Sequence, residues 1–129
     1  MKKKILIVDD DQEILALWKP LLSRRGFQIF LARNAEEFQR QAMSVKPDII
    51  ILDIMLGEES GPMAYDQLLA QGFDKNVPVL FLTNLVGEGS SSSALPGRTI
   101  VLHSKLIDVD DLLKEISSLL PGVEQGNKS

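Results

Sequence analysis

The chain is expected to fold as a doubly wound α/β domain, a (βα)₅ unit built on a five-stranded parallel sheet, and three observations predict it. Five short, largely β-branched or apolar runs, 4–8, 28–32, 49–52, 79–82 and 99–102, alternate with longer segments, most of them of helical period, the pattern of successive βαβ units. The first, third and fourth runs are almost wholly apolar, as strands covered on both faces must be, and so belong at the sheet centre. Aspartates follow the first and third runs, at the carboxyl ends of strands where open α/β sheets bind ligands.

Each connecting segment is justified in turn. After the first run, Ile14, Leu15, Trp18, Leu21 and Leu22 form one apolar stripe at helical spacing, with Asp11 as the cap and an end near Gly26. Trp18 lies on that stripe and reads as core. Pro20 removes one backbone donor inside this helix, so a kink or loosened turn is expected rather than a break. A second helix opens at Asn34, with Glu37 as its capping-box partner, turns Ala35, Phe38 and Ala42 inward, and ends before Lys46-Pro47. A third spans about residues 62–71, with Pro62 in its first turn and Gly72 as its stop. The last carries Leu112, Leu113, Ile116, Leu119 and Leu120 on one face, capped by Asp108 and ended by Pro121-Gly122.

One connection departs from the pattern. A right-handed crossover needs a helix between the fourth and fifth runs, yet residues 87–97 hold glycines, a run of four serines and a proline, which are poor helix material. A degenerate fourth crossover helix and the least ordered internal segment are expected there. Residues 1–122 are read as one domain and 123–129 as a disordered tail.

Composition narrows the function classes. The chain has 129 residues, 44% hydrophobic and 25% charged, enough for one core without metal or disulfide staples, and it has no cysteine for either. With 18 acidic against 14 basic residues it carries a net charge of −4, which argues against nucleic-acid binding by this chain alone. The lysines at positions 2–4 precede only four apolar residues before Asp9, too few for a signal peptide, and no run approaches the ~18 residues of a membrane helix. No membrane association and a cytoplasmic location are expected.

The chemistry is expected at the carboxyl edge of the sheet. The first run ends in Asp9-Asp10-Asp11, the third in Asp53, the fourth in Thr83-Asn84 and the fifth in His103-Ser104-Lys105. Helix capping accounts for Asp11 and Asp108 but not for Asp53, which is followed by Ile54-Met55-Leu56-Gly57 rather than a helix start. If Asp9, Asp10 and Asp53 meet, like charges at ~4 Å repel by about 4 kcal/mol at an effective dielectric of about 20, so a cation must relieve them. Oxygen ligands alone, few in number and with room for water and phosphate, suit Mg²⁺ better than Ca²⁺. A lysine and a threonine hydroxyl opposite can bind phosphoryl oxygens.

The Asp9-Asp10 pair, residues 46–53 (Lys-Pro-Asp-Ile-Ile-Ile-Leu-Asp), Gly61, Thr83 and Lys105 together resemble the receiver domain of two-component response regulators, over about residues 3–120. The resemblance implies a flavodoxin-like sheet. It further implies Asp53 as phospho-acceptor from a histidine kinase or phosphotransfer protein. Asp10, Asp53 and the Met55 carbonyl would be Mg²⁺ ligands, with Asp9 acting partly through water. Thr83 and Lys105 would bind the phosphoryl group, and Met55 and Leu85 would stand where side chains admit or exclude the hydrolytic water. Such a chain catalyses only its own phosphorylation and dephosphorylation.

Three positions depart from the family pattern: Leu106 follows Lys105 where proline is usual, Leu102 replaces an aromatic residue, and the fourth crossover is rich in glycine and serine. A trans Lys105–Leu106 peptide is expected, since cis costs about 3 kcal/mol before a residue other than proline. These departures keep open a pseudo-receiver that signals through binding alone. An unrelated Mg²⁺-dependent phosphotransferase on the same fold is a third reading. Too few residues follow Leu120 for an output domain, so action on an unidentified downstream protein, or as a relay, is expected.

Overall fold

In chain order the elements are β1 (Lys4–Val8), α1 (Gln12–Ser23), β2 (Gln28–Ala32), α2 (Ala35–Val45), β3 (Ile49–Asp53), β4 (Met55–Leu56), β5 (Glu59–Ser60), α3 (Gly61–Ala70), β6 (Val79–Thr83), β7 (Ile100–Ser104) and α4 (Val109–Leu119). They come from a computed structural model that describes residues 2–83, 100–104 and 109–120. The expectations for residues 87–97, Leu85, Lys105, the Lys105–Leu106 peptide, the Asp108 cap, the Pro121-Gly122 stop and the tail lie outside the described residues.

Five strands form one parallel sheet in the order β2-β1-β3-β6-β7, while β4 and β5 form a separate two-stranded antiparallel ladder. The three apolar runs are the three central strands, as expected from strands that must be covered on both sides. β2, at an edge, is only partly buried along most of its length.

Two-residue periodicity divides the core. Ile5, Ile7, Ile49, Ile51, Leu80 and Leu82 face one side, where Leu15, Trp18 and Leu22 of α1 and Leu112 and Ile116 of α4 cover them. Leu6, Val8, Ile50, Leu52, Val79 and Phe81 face the other, beneath Phe38 and Ala42 of α2 and Ala64, Tyr65 and Leu68 of α3. Each fully buried side chain of this size contributes about 1.5–3 kcal/mol, and alternate burial on both faces fixes the strand register.

The helix starts follow the capping chemistry. The Asp11 carboxylate accepts the Glu13 N–H at 2.9 Å. The Asn34 side chain accepts the Glu37 N–H at 2.8 Å, and Glu37 reaches back to the Arg33 N–H at 2.9 Å, a capping box displaced by one residue. α3 starts one residue before Pro62, because the Ser60 hydroxyl accepts the Met63 N–H at 3.2 Å and acts as its cap. α1 runs through Pro20 to Ser23 without a break. Ala16 and Pro20 both lie on its exposed side, where water can satisfy the carbonyl left without a donor. The glutamines 39, 67 and 71 tie α2 to α3 through side-chain hydrogen bonds of 3.0 Å.

The α2 cap gives the first test. Asn34→Ala should cost about 1 kcal/mol and lower the melting temperature by roughly 3–5 °C. An unchanged thermal denaturation curve would show that Glu37 alone holds the helix start.

Candidate functional site

β1 and β3 are neighbours in space, but the chain crosses from β1 to β2 on one side before returning to β3 on the other. The strand order therefore reverses between them, and their carboxyl ends flank the crevice in which open α/β sheets bind ligands. Val8 lies opposite Leu52, so the residues that leave the sheet side by side are Asp9 and Asp53.

Asp9 is held in place from the backbone outward. Its N–H donates to the Ala32 carbonyl at 3.0 Å, which continues the β1–β2 ladder, and its carboxylate accepts the Asp11 N–H at 2.9 Å. Asp9 is 2% exposed and Asp53 is 5% exposed, the two buried acidic residues among those described. Asp53 closes β3, and its carboxylate lies 3.3 Å from the Met55 N–H. Asp10, exposed, completes the group: one oxygen each from Asp9, Asp10 and Asp53 fall within 4.8 Å of one another. Two buried carboxylates and an exposed one, with neither imidazole nor thiolate in the cluster, form a hard oxygen donor set that fits a small divalent cation.

The segment after Asp53 was not legible as structure in the sequence. It folds as a hairpin in which Met55 pairs with Ser60 and Leu56 with Glu59 around the loop Gly57-Glu58. Only Gly57 of the two loop residues has a positive φ, 66°, the pattern of a type II′ turn, and a dipeptide opening on glycine between two short segments was the available signal. A Cβ on Gly57 would stand 3.9 Å from an Asp10 carboxylate oxygen, so the turn lies beside the cluster. Leu56 is buried in the core, and the Glu59 carboxylate accepts the Ala35 N–H at 3.1 Å, which ties the hairpin to the start of α2.

Gly61 then allows the closest backbone approach at the site. Its N–H donates to the Ile54 carbonyl at 2.6 Å, and a Cβ there would run into the Asp53 carbonyl oxygen. Across β3, Asp53 pairs with Leu82, which places Thr83 one residue further along the neighbouring strand, opposite Ser104. The structure thus brings Asp9, Asp10 and Asp53 together, sets Met55 in the adjoining hairpin and puts the Thr83 backbone at the same sheet edge. Asp48, at the other end of β3, accepts the Lys4 N–H at 2.7 Å and locks β1 to β3 where the two strands begin.

Comparisons with known proteins bear on the family and the fold. The family model described as "Response regulator receiver domain" matches residues 5–117. The polar-differentiation response regulator DivK of Brucella anthropi is 28% identical over 120 residues, covering 93% of this chain and 98% of DivK. The alkaline phosphatase synthesis transcriptional regulatory protein PhoP of Bacillus subtilis is 40% identical over 83 residues, 64% of this chain but 34% of PhoP, so the match spans about a third of that relative's length. Among solved structures, a CheY-like receiver domain protein from Methanospirillum hungatei superposes with a TM-score of 0.76 at 22% identity, covering 92% of this chain and 93% of that one.

The Gly61 contact yields a prediction. Gly61→Ala should destabilise the fold by about 1–3 kcal/mol, because the methyl group meets backbone rather than a yielding side chain. Urea denaturation monitored by circular dichroism measures it, and wild-type stability would show that the β3–α3 connection gives way freely.

Proposed function

The chain belongs to the response regulator receiver domain family, and we propose that it accepts a phosphoryl group on Asp53 from a phosphohistidine of a histidine kinase or phosphotransfer protein. The observation that carries the reading is the convergence of Asp9, Asp10 and Asp53 at the carboxyl edge of β1 and β3, with Asp53 nearly buried at the end of a central strand. In this reading a carboxylate oxygen of Asp53 attacks phosphorus, the P–N bond to the donor imidazole breaks, and the released imidazole nitrogen takes up a proton. The product is an aspartyl phosphate.

Asp10, Asp53 and the Met55 carbonyl would hold Mg²⁺, with Asp9 acting partly through water. The bound ion would neutralise charge on the carboxylates and the transferring group, the main requirement of phosphoryl transfer. Thr83 and Lys105 would bind the remaining phosphoryl oxygens. The Asp11 N–H holds the Asp9 carboxylate, which would place that oxygen before any donor arrives. The chain would catalyse only its own phosphorylation and dephosphorylation, in the cytoplasm, and would pass the signal to a downstream protein. In keeping with that, no helix among the described residues is long and apolar enough to cross a membrane.

Incubation with Mg²⁺ and a small phosphodonor, followed by intact-mass analysis, tests the assignment. The wild type should gain one phosphoryl group and Asp53→Asn none, with its fold retained. Phosphate uptake by Asp53→Asn at the wild-type rate would refute it, and no uptake by the wild type would favour a pseudo-receiver that signals by binding.

A second outcome concerns the lifetime of the phosphorylated state. Met55 is 51% exposed beside the acceptor, and its thioether cannot orient water by a strong hydrogen bond. Slow hydrolysis follows, and Met55→Asn should speed phosphate loss roughly severalfold, a change of about 1 kcal/mol in barrier. Decay measured with excess EDTA as the metal-free control checks it. Equal rates in the two proteins would mean that Met55 does not gate the water.

A further inference from the structure

The edge of the sheet away from the carboxylates carries a second concavity. The segment before β1, the α2–β3 connection and the α3–β6 connection enclose a groove of about 700 Å³ that also reaches the end of α4. Its surface is more apolar than polar, and the apolar side chains gather on its floor. Pro47 and Pro78 are buried, Phe73 and Val77 are half-buried, Leu120 closes one end, and the exposed Met43 forms a wall.

The rim is basic. Lys3 and Lys46 line the groove, and Lys2, Lys4 and Lys75 stand in the same segments around it. None of the five forms an ion pair among the described residues, although the Lys4 ammonium donates to the Val45 carbonyl at 3.1 Å. Two carboxylates share the groove, Asp48, which accepts the Lys4 N–H at 2.7 Å, and Asp74, which accepts the Asn76 N–H at 2.9 Å, so the three segments carry five lysines against two aspartates and keep a positive excess. A chain of net charge −4 thus gathers lysines that have no carboxylate partner among the described residues around a hollow with an apolar floor, at the end opposite its acidic cluster.

We propose that this groove docks an acidic peptide segment of a partner protein. One or two large apolar side chains would seat on Phe73, Val77 and the two prolines, while flanking carboxylates face Lys3 and Lys46. The volume lies in the range of pockets that bury a few side chains, and complementary charge would steer the encounter and set its orientation. A nucleic-acid backbone or an anionic bilayer would match the lysines but leave the concave apolar floor unused, so the peptide accounts for both halves of the surface. The inference does not depend on how the carboxylate cluster is read.

The test uses the intact chain and an immobilised array of eight-residue peptides composed of Asp, Glu, Leu and Phe, beside a matched array in which Lys replaces the acids. Hits are then measured in solution by fluorescence anisotropy. The acidic array should yield saturable one-site binders and the basic array none. Raising salt from ~50 to ~500 mM should weaken binding, as expected for contacts between exposed charges. The double substitution Lys3→Glu with Lys46→Glu should weaken it at least roughly tenfold, since each like-charge contact disfavours the complex, without altering phosphate uptake. Val77→Asp, which alters the floor and leaves the lysines in place, should also abolish binding. Its melting curve shows whether it is folded, and the lysine pair carries the test if it is not. Absence of acidic binders, equal binding by both arrays, or hits that tolerate the lysine reversal would overturn the proposal. So would binding to phosphatidylglycerol vesicles in place of the peptides.

Discussion

The parallel register of β1 against β3 is the constraint on which the rest of the structure depends. Val8 stands opposite Leu52, and both strands are buried on both faces, so neither can slip by one residue without moving every side chain to the wrong layer. That register decides where the chain leaves the apolar sheet, and the residues at that point are Asp9 and Asp53. Three carboxylates repel one another, and in an unconstrained chain they would separate. Here the opposing force is the packing of twelve buried side chains on the three central strands, six facing each side. The core thereby holds the carboxylates together at one edge, an arrangement that a bound cation would stabilise.

The connections after the strands refine what the register sets. Asp9 is fixed by bonds at both its N–H and its carboxylate, whereas Asp10, one residue later, is exposed and faces the Gly57 turn. The β4–β5 hairpin is held at three points: Leu56 in the core, Glu59 on the start of α2, and Gly61 against the backbone of Asp53 and Ile54. The site is therefore assembled from rigid strand ends and a braced hairpin. Such support suits a task in which charged oxygens must be placed before the reaction begins.

Much of this was legible in the residues. Runs such as Ile49-Ile50-Ile51-Leu52, short and β-branched, read as strands covered on both faces, and Asp11 and Asn34 announce helix starts through side chains that accept backbone N–H groups. The aspartates stood out because capping could not explain Asp53. Two features were hidden for physical reasons. A pair of two-residue strands is too short to show a period, so only Gly57 hinted at the hairpin. Pro62 marks the start of α3 in the sequence, but the Ser60 hydroxyl sets it, and the need for glycine at position 61 comes from a close approach to Asp53 that no local pattern encodes. The basic groove joins residues from four separate segments and is visible only once the sheet is assembled.

The most direct test of the account is the melting temperature of the wild type and of Asp10→Ala, each titrated with Mg²⁺. If the strand register holds the carboxylates together as a cation site, millimolar Mg²⁺ should stabilise the wild type, by about 2.7 kcal/mol at a hundredfold excess over the dissociation constant. Asp10→Ala should lose most of that increment and, relieved of one repelling charge, should melt no lower than the wild type in the absence of the ion. A wild-type melting curve indifferent to Mg²⁺, or an equal increment in both proteins, would contradict the claim that these three aspartates form one site.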